Sequence, residues 1–219
     1  MANQLSLAAV AFDLDGLMVN TEELFIQVGT QMITRRGFEL DFDLLRQMMG
    51  RPSRVSLPLM IDWYGLSDSV EELEKETAET FQGLLSDQLS PMKGLLPLVQ
   101  FLDENRIPKA IATSSRRSFV ERVLEIISLP TEFDFVLSAE DVGNGKPDPE
   151  IYQLAAKRFG VAAERMMVLE DSEAGCQAAL AASAFVVAVP GDHSVGHCYD
   201  GVQLIANSLA DERILAALA

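Results

Sequence analysis

Only two cysteines occur in the 219 residues, Cys176 and Cys198. They are too few for a disulfide framework and too far apart for a CxxC metal or redox motif. Both are expected as reduced thiols. Basic residues are scarce as well: 17 Lys and Arg stand against 33 Asp and Glu, for a formal net charge of −16. A surface this acidic repels nucleic acid and anionic membrane, and no Lys/Arg run interrupts it, so polyanionic partners are set aside. A small anion remains admissible, because a few local cations can hold it against the global field. Long apolar runs are missing too. The longest, Ala178 to Pro190, is too short to cross a bilayer and reads as a buried helix end plus a strand. Residues 1–12 carry no basic n-region and their apolar run ends in Asp13, which does not fit an ordinary secretory signal. A cytoplasmic, soluble and monomeric protein is the expectation.

What is present is an ordinary globular composition, 48% hydrophobic and 23% charged. Five short apolar runs read as buried parallel strands: Leu7 to Phe12, Lys109 to Thr113, Phe135 to Ser138, Met166 to Leu169, and Phe185 to Val189. Helical patterns at Ser118 to Ile127, Pro149 to Phe159 and Glu173 to Ala182 separate the later ones. This alternation predicts an α/β fold with a doubly wound, Rossmann-like parallel sheet. It is broken between the first two strands. From Thr21 to about Leu89 the periodicity is helical, as in Leu24, Val28, Ile33 and in Leu73, Thr77, Phe81, Leu84. The acidic span Ser67 to Glu79 reads as a solvated helix face. The expected organisation is therefore a core of residues 1–19 and 91–219, with residues 20–90 as an inserted helical module. Leu17 to Asn20 and Ser90 to Gly94 are its hinges, the second marked by Pro91 and Gly94.

Ligands of open parallel sheets sit beyond the carboxyl ends of the strands. Four successive strand ends here carry polar clusters: Asp13-Leu14-Asp15-Gly16, Thr113-Ser114-Ser115, Gly145-Lys146-Pro147-Asp148-Pro149, and Glu170-Asp171-Ser172. Any one of them alone would be an ordinary turn. The four together, in this order, point to one site.

The order and spacing of these motifs, with GKPDPEIY and EDSEAG written out in full, resemble the haloacid dehalogenase superfamily in its phosphatase and β-phosphoglucomutase-like branch. The resemblance covers nearly the whole chain and makes the helical insert a cap domain. It implies Asp13 as nucleophile, Asp15 as general acid and base, and Thr113, Ser114 and Lys146 as the holders of a phosphoryl group. It also implies Mg2+ as cofactor. Asp13 and Asp171 would be direct ligands, Asp15 would contribute its backbone carbonyl, and Glu170 would act in support. A small phosphorylated metabolite is the implied partner.

The residue chemistry agrees independently. Residues two apart at an extended strand end project the same way, so Asp13 and Asp15 can face one phosphorus. One carboxylate attacks it; the other protonates the leaving alkoxide and then deprotonates water. An acid role for Asp15 requires a raised pKa, which a neighbouring like charge or burial supplies. Charge explains the need for metal. Four carboxylates against one lysine leave −3 before a phosphate arrives, and each like-charge pair at about 4 Å costs roughly 4 kcal/mol at an effective dielectric near 20. A hard dication on oxygen ligands offsets this, and Mg2+ is suited to carboxylate and phosphate oxygen.

Asp15 also separates reaction classes within the family. Dehalogenases and phosphonatases lack a carboxylate there, and phosphonatases use a cap lysine, whereas the only lysine of residues 20–90 is Lys75 in an acidic stretch. β-Phosphoglucomutase places a histidine twelve residues after its nucleophile; that position here is Phe25, and Asn20 stands where many relatives have Asp. Phosphatase is therefore preferred to phosphosugar mutase, and a catalytically inactive binding protein of the same fold stands as a third reading. Arg51 and Arg54, in Gly50-Arg51-Pro52-Ser53-Arg54, are candidates for gripping the distal part of a substrate, or else exposed arginines balancing an acidic surface. Ser115 and Arg116 are candidates for extending the phosphate cradle, while Arg116 and Arg117 fit equally well as exposed residues of a first helical turn. Ser172 reads as a helix N-cap. His193 and His197 read as surface-loop residues.

Overall fold

Strand formation follows the apolar runs. In the computed structural model, which describes residues 6–48, 53–194 and 196–219, the elements are β1 (Ala9–Phe12), α1 (Thr21–Arg35), α2 (Phe42–Met48), α3 (Ser53–Tyr64), α4 (Val70–Gln88), α5 (Leu95–Glu104), β2 (Lys109–Ala112), α6 (Arg117–Ile127), β3 (Phe135–Leu137), α7 (Glu150–Phe159), β4 (Met166–Glu170), α8 (Glu173–Ala181), β5 (Phe185–Ala188), β6 (Leu204–Ile205) and α9 (Glu212–Leu218). The chain divides into two compact units. One comprises the described residues up to Asn20 together with Ser90–Ala219; the other is Thr21–Leu89.

The first unit is built on a six-stranded sheet in the order β3-β2-β1-β4-β5-β6, with every pairing parallel. This is the doubly wound α/β architecture that the alternating runs predict. Every residue of the central strands β1, β2 and β4 is buried, as sheets covered by helices on both faces require. On one face Met166, Val168 and Val186 pack with Tyr152, Ala155 and Ala179 from α7 and α8. Strand order reverses between β1 and β4, and that switch point is where such sheets open a crevice at their carboxyl ends. Asn20 closes the base of the unit: its side-chain oxygen accepts from Ser90 N at 2.9 Å, and its own N–H donates to Ser90 O at 3.2 Å. The sixth strand and the helices α5 and α9 are not evident in the sequence pattern. β6 has two residues, fewer than a period-2 alternation needs to be recognised.

The second unit is wholly helical among its described residues. Leu24, Val28 and Ile33 of the helical pattern lie on the buried face of α1, and Leu73 and Leu84 on that of α4. Ile33, Leu44 and Met60 bring α1, α2 and α3 together. α4 begins with a capping box in which Ser69 and Glu72 satisfy each other's backbone N–H. The acidic stretch is more than a solvated face: Asp68 and Glu76 bind the Arg36 guanidinium at 2.6 and 2.7 Å, and Glu76 also takes Arg35 at 2.9 Å. Hydrogen bonds from Arg36 hold both carboxyls below the usual carboxylate range. Among the described residues no helix is long and apolar enough to cross a membrane.

Candidate active site

Asp13 sits one residue past β1. Its N–H donates to Leu169 O at 3.0 Å, which carries the β1–β4 ladder beyond the strand and fixes the side chain at the carboxyl edge of the sheet. β4 ends in Glu170 beside it, with Asp171 one residue beyond the strand. Asp13, Glu170 and Asp171 are 7%, 0% and 3% exposed, an arrangement that leaves three carboxylates out of water.

Lys146 binds two of these carboxylates together. Its ammonium donates to Asp13 Oδ1 at 2.5 Å, to Glu170 Oε1 at 2.6 Å and to Ala112 O at 3.0 Å, so the three donors a lysine has are all used. Burial alone would lower the Lys146 pKa, but Asp13 and Glu170 outweigh it and hold the ammonium well above the ordinary lysine value. For Asp13 burial dominates. It raises the carboxyl well above its usual range against the pull of Lys146, with Glu170, Asp171 and Asp15 adding to the rise.

Glu170 is held from every side. Oε1 also accepts from the Tyr152 hydroxyl at 2.7 Å. Oε2 accepts from Asp171 N at 3.1 Å, Ser172 N at 3.3 Å and Ser172 Oγ at 3.0 Å. Gly175 makes this possible, since a Cβ there would lie 1.8 Å from Glu170 Oε1. Ser172 at the same time caps α8 through Gly175 N at 3.1 Å, as the sequence predicts. The Tyr152 phenol is pushed well up by burial and by Glu170, so it stays a hydrogen-bond donor.

Asp15 belongs to a second group. Ser115 Oγ donates to Asp15 Oδ2 at 2.7 Å and Thr113 Oγ1 at 3.3 Å, while Ser115 N donates to Thr113 Oγ1 at 3.0 Å. Thr113 is placed by its own N–H to Leu137 O at 3.0 Å. The candidates Asp13, Asp15, Thr113, Lys146, Glu170 and Asp171 therefore converge at adjoining strand ends of one unit, and Ser114 lies exposed in the same turn.

Several residues stand differently from their sequence reading. His193 is no surface-loop residue: its side chain is 6% exposed and Nε2 lies 2.6 Å from Asp171 Oδ2. The turn after β5 folds back over the strand ends, and nothing in a short polar stretch announces that. His197 is half-buried and accepts weakly from Glu173 N at 3.4 Å. Arg117, read as an exposed first-turn residue, donates to Asp141 at 2.5 Å and to Val136 O at 3.4 Å, while Arg116, the candidate for extending the cradle, is exposed at the N-cap of α6. Arg54 is exposed in the first turn of α3, and Arg51 lies outside the described residues. Tyr152 and Tyr199 take part without having been singled out as site residues, whereas Ser115, read as an extension of the cradle, binds Asp15. The first had a signal: Tyr152 lies on the buried face of a helical pattern, where a tyrosine hydroxyl needs a partner.

One oxygen each from Asp13, Glu170 and Asp171 lie within 4.8 Å of one another. The donors are all hard oxygens of buried carboxylates, two of which share the Lys146 ammonium. That set suits a hard divalent cation and not a thiolate- or imidazole-seeking one.

Comparison with known proteins agrees. Residues 10–189 match the model of the haloacid dehalogenase-like hydrolase family. The phosphorylated carbohydrates phosphatase of Thermotoga maritima is 36% identical over 80% of this chain and 81% of its own. The fructose-1-phosphate phosphatase of Escherichia coli is 29% identical over 80% and 92%. Among solved structures, the putative β-phosphoglucomutase of Thermotoga maritima superposes with a TM-score of 0.81 at 29% identity, over 97% of this chain and all of that one. The chain belongs to the haloacid dehalogenase-like hydrolase family. Its named relatives there are phosphatases, and it stands with them as a phosphoric monoester hydrolase.

Proposed function

We propose that this enzyme is a Mg2+-dependent phosphatase that hydrolyses small phosphate monoesters, sugar or polyol phosphates foremost, through an aspartyl phosphate on Asp13. The observation that carries the reading is the Lys146 ammonium locked between Asp13 and Glu170 at 2.5 and 2.6 Å, with Asp15 held close by on Ser115. A nucleophile, a fixed positive charge and a second carboxylate are the parts that phosphoryl transfer to an aspartate needs.

Asp13 attacks the phosphorus. Asp15, oriented by Ser115, protonates the leaving alkoxide and then deprotonates the water that releases phosphate. Lys146 stays charged and serves the transferring oxygens as a point charge. Thr113 and the Ser114 amide donate to the same oxygens as their charge redistributes. Asp13 and Asp171 would hold the cation with the Asp15 carbonyl, and Glu170 supports them by fixing Lys146. Mg2+ at these ligands would offset the carboxylate charge and supply a Lewis acid for a phosphoryl oxygen. Two free thiols fit a cytoplasmic setting, and Arg51 and Arg54 remain the candidate contacts for the distal part of a substrate.

A screen of sugar and polyol phosphates with Mg2+, recording both released phosphate and isomerised product, tests this. Released phosphate should dominate, and chelation should abolish it. Turnover that survives chelation contradicts the metal assignment. A major isomerised product would favour the mutase reading, which the structural likeness to a putative β-phosphoglucomutase keeps in view.

A further inference from the structure

We propose that His193 is a positioning residue for the cation: it fixes the Asp171 carboxylate so that one chosen oxygen faces the metal. The inference rests on the assignment of Asp171 as a metal ligand. His193 lies in the turn Asp192–Ser194, directly after β5. Its Nε2 stands 2.6 Å from Asp171 Oδ2, with side chains 6% and 4% exposed. An imidazole donating from Nε2 occupies Oδ2 and sets the rotation of the carboxylate. Oδ1 is then the oxygen assigned to the cation.

The surroundings are shaped for this contact. Gly191 leaves space for the ring, since a Cβ there would lie 2.5 Å from His193 Cε1 and 2.7 Å from Nδ1. Ser194 closes the turn, donating from N to Gly191 O at 3.0 Å and accepting from Gly191 N at 3.2 Å. Further along, the Tyr199 hydroxyl donates to the Asp171 carbonyl at 2.6 Å, and burial pushes its phenol up to about 12. Cys198 N donates to Glu173 Oε2 at 3.1 Å. Asp171 is thus gripped by its side chain and by its backbone from one segment, which is itself tied to the first turn of α8. Partners of this kind orient a ligand before metal arrives, and losing one costs about 10- to 100-fold in metal affinity.

The test is calorimetric titration of the substrate-free enzyme with Mg2+, alongside melting in chelator. Gln places an amide N–H near the position of Nε2, whereas Asn reaches only the position of Nδ1. His193→Gln should bind Mg2+ close to wild type. His193→Asn and His193→Ala should bind it about 10- to 100-fold more weakly, with metal-free melting unchanged for the Gln and Asn pair. That pair decides the matter should the alanine variant fail to fold. Equal affinities for Gln and Asn, or wild-type affinity in the alanine variant, overturn the role of His193 alone. A wild-type enzyme that binds no Mg2+ overturns the metal assignment beneath it.

Discussion

Asp13→Asn is expected to lower phosphate-ester turnover by roughly 10,000- to 1,000,000-fold, the range seen when a covalent nucleophile is removed from an otherwise intact site. The amide keeps the shape of the carboxylate but has no anionic oxygen to attack phosphorus. The fold should not suffer. Burial raises the wild-type Asp13 pKa, so the native state holds its proton more tightly than the unfolded chain does. Ionising Asp13 therefore removes stability as pH rises above the ordinary carboxylate value near 4. Asn escapes that cost while Lys146 keeps Glu170 as a partner at 2.6 Å. Measured in chelator, the variant should melt no lower than wild type at neutral pH, and the difference should close as pH falls through the carboxylate range. Turnover within tenfold of wild type would place the nucleophile elsewhere.

Asp15→Ala should give a loss that depends on the leaving group. For a sugar phosphate the departing alkoxide is strongly basic and needs a proton, so the rate should fall by about 100- to 10,000-fold. p-Nitrophenolate leaves without one. With that ester the first step should persist while dephosphorylation, which needs Asp15 as base, stays slow. The expected trace is a burst of about one equivalent of p-nitrophenolate followed by a slow steady state. Ser115 and Thr113 donate to Oδ2 of Asp15 at 2.7 and 3.3 Å, so the carboxylate is already ordered before substrate binds. Equal losses on both esters with no burst would make Asp15 a structural residue.

These residues were readable because strand ends are readable. An apolar run that stops at a carboxylate, as at Phe12-Asp13 and Leu169-Glu170, marks both an element and its polar edge. The parallel order of the sheet then brings separate motifs to one edge. What stayed hidden depends on where loops go once they leave the sheet. The stretch after β5 is polar and short, and no periodicity tells that His193 returns to Asp171 with its side chain buried. Ser115 was legible as an extension of the cradle, but its partner could not be named from spacing: Asp15 lies 100 residues away. Arg116 fitted either the cradle or an exposed first turn and stands exposed at the N-cap of α6, while its neighbour Arg117 pairs with Asp141 at 2.5 Å. Side chains with two physically reasonable uses need the fold to choose between them.

The stereochemical course at phosphorus tests the central claim most directly. Turning over a substrate made chiral at phosphorus with oxygen isotopes, in isotopically labelled water, reports the number of in-line displacements. Attack by Asp13 followed by attack of water inverts the centre twice, so the released phosphate should show retention of configuration. Inversion would mean that water attacks the ester in a single step, and Asp13 would then be a metal ligand and no nucleophile.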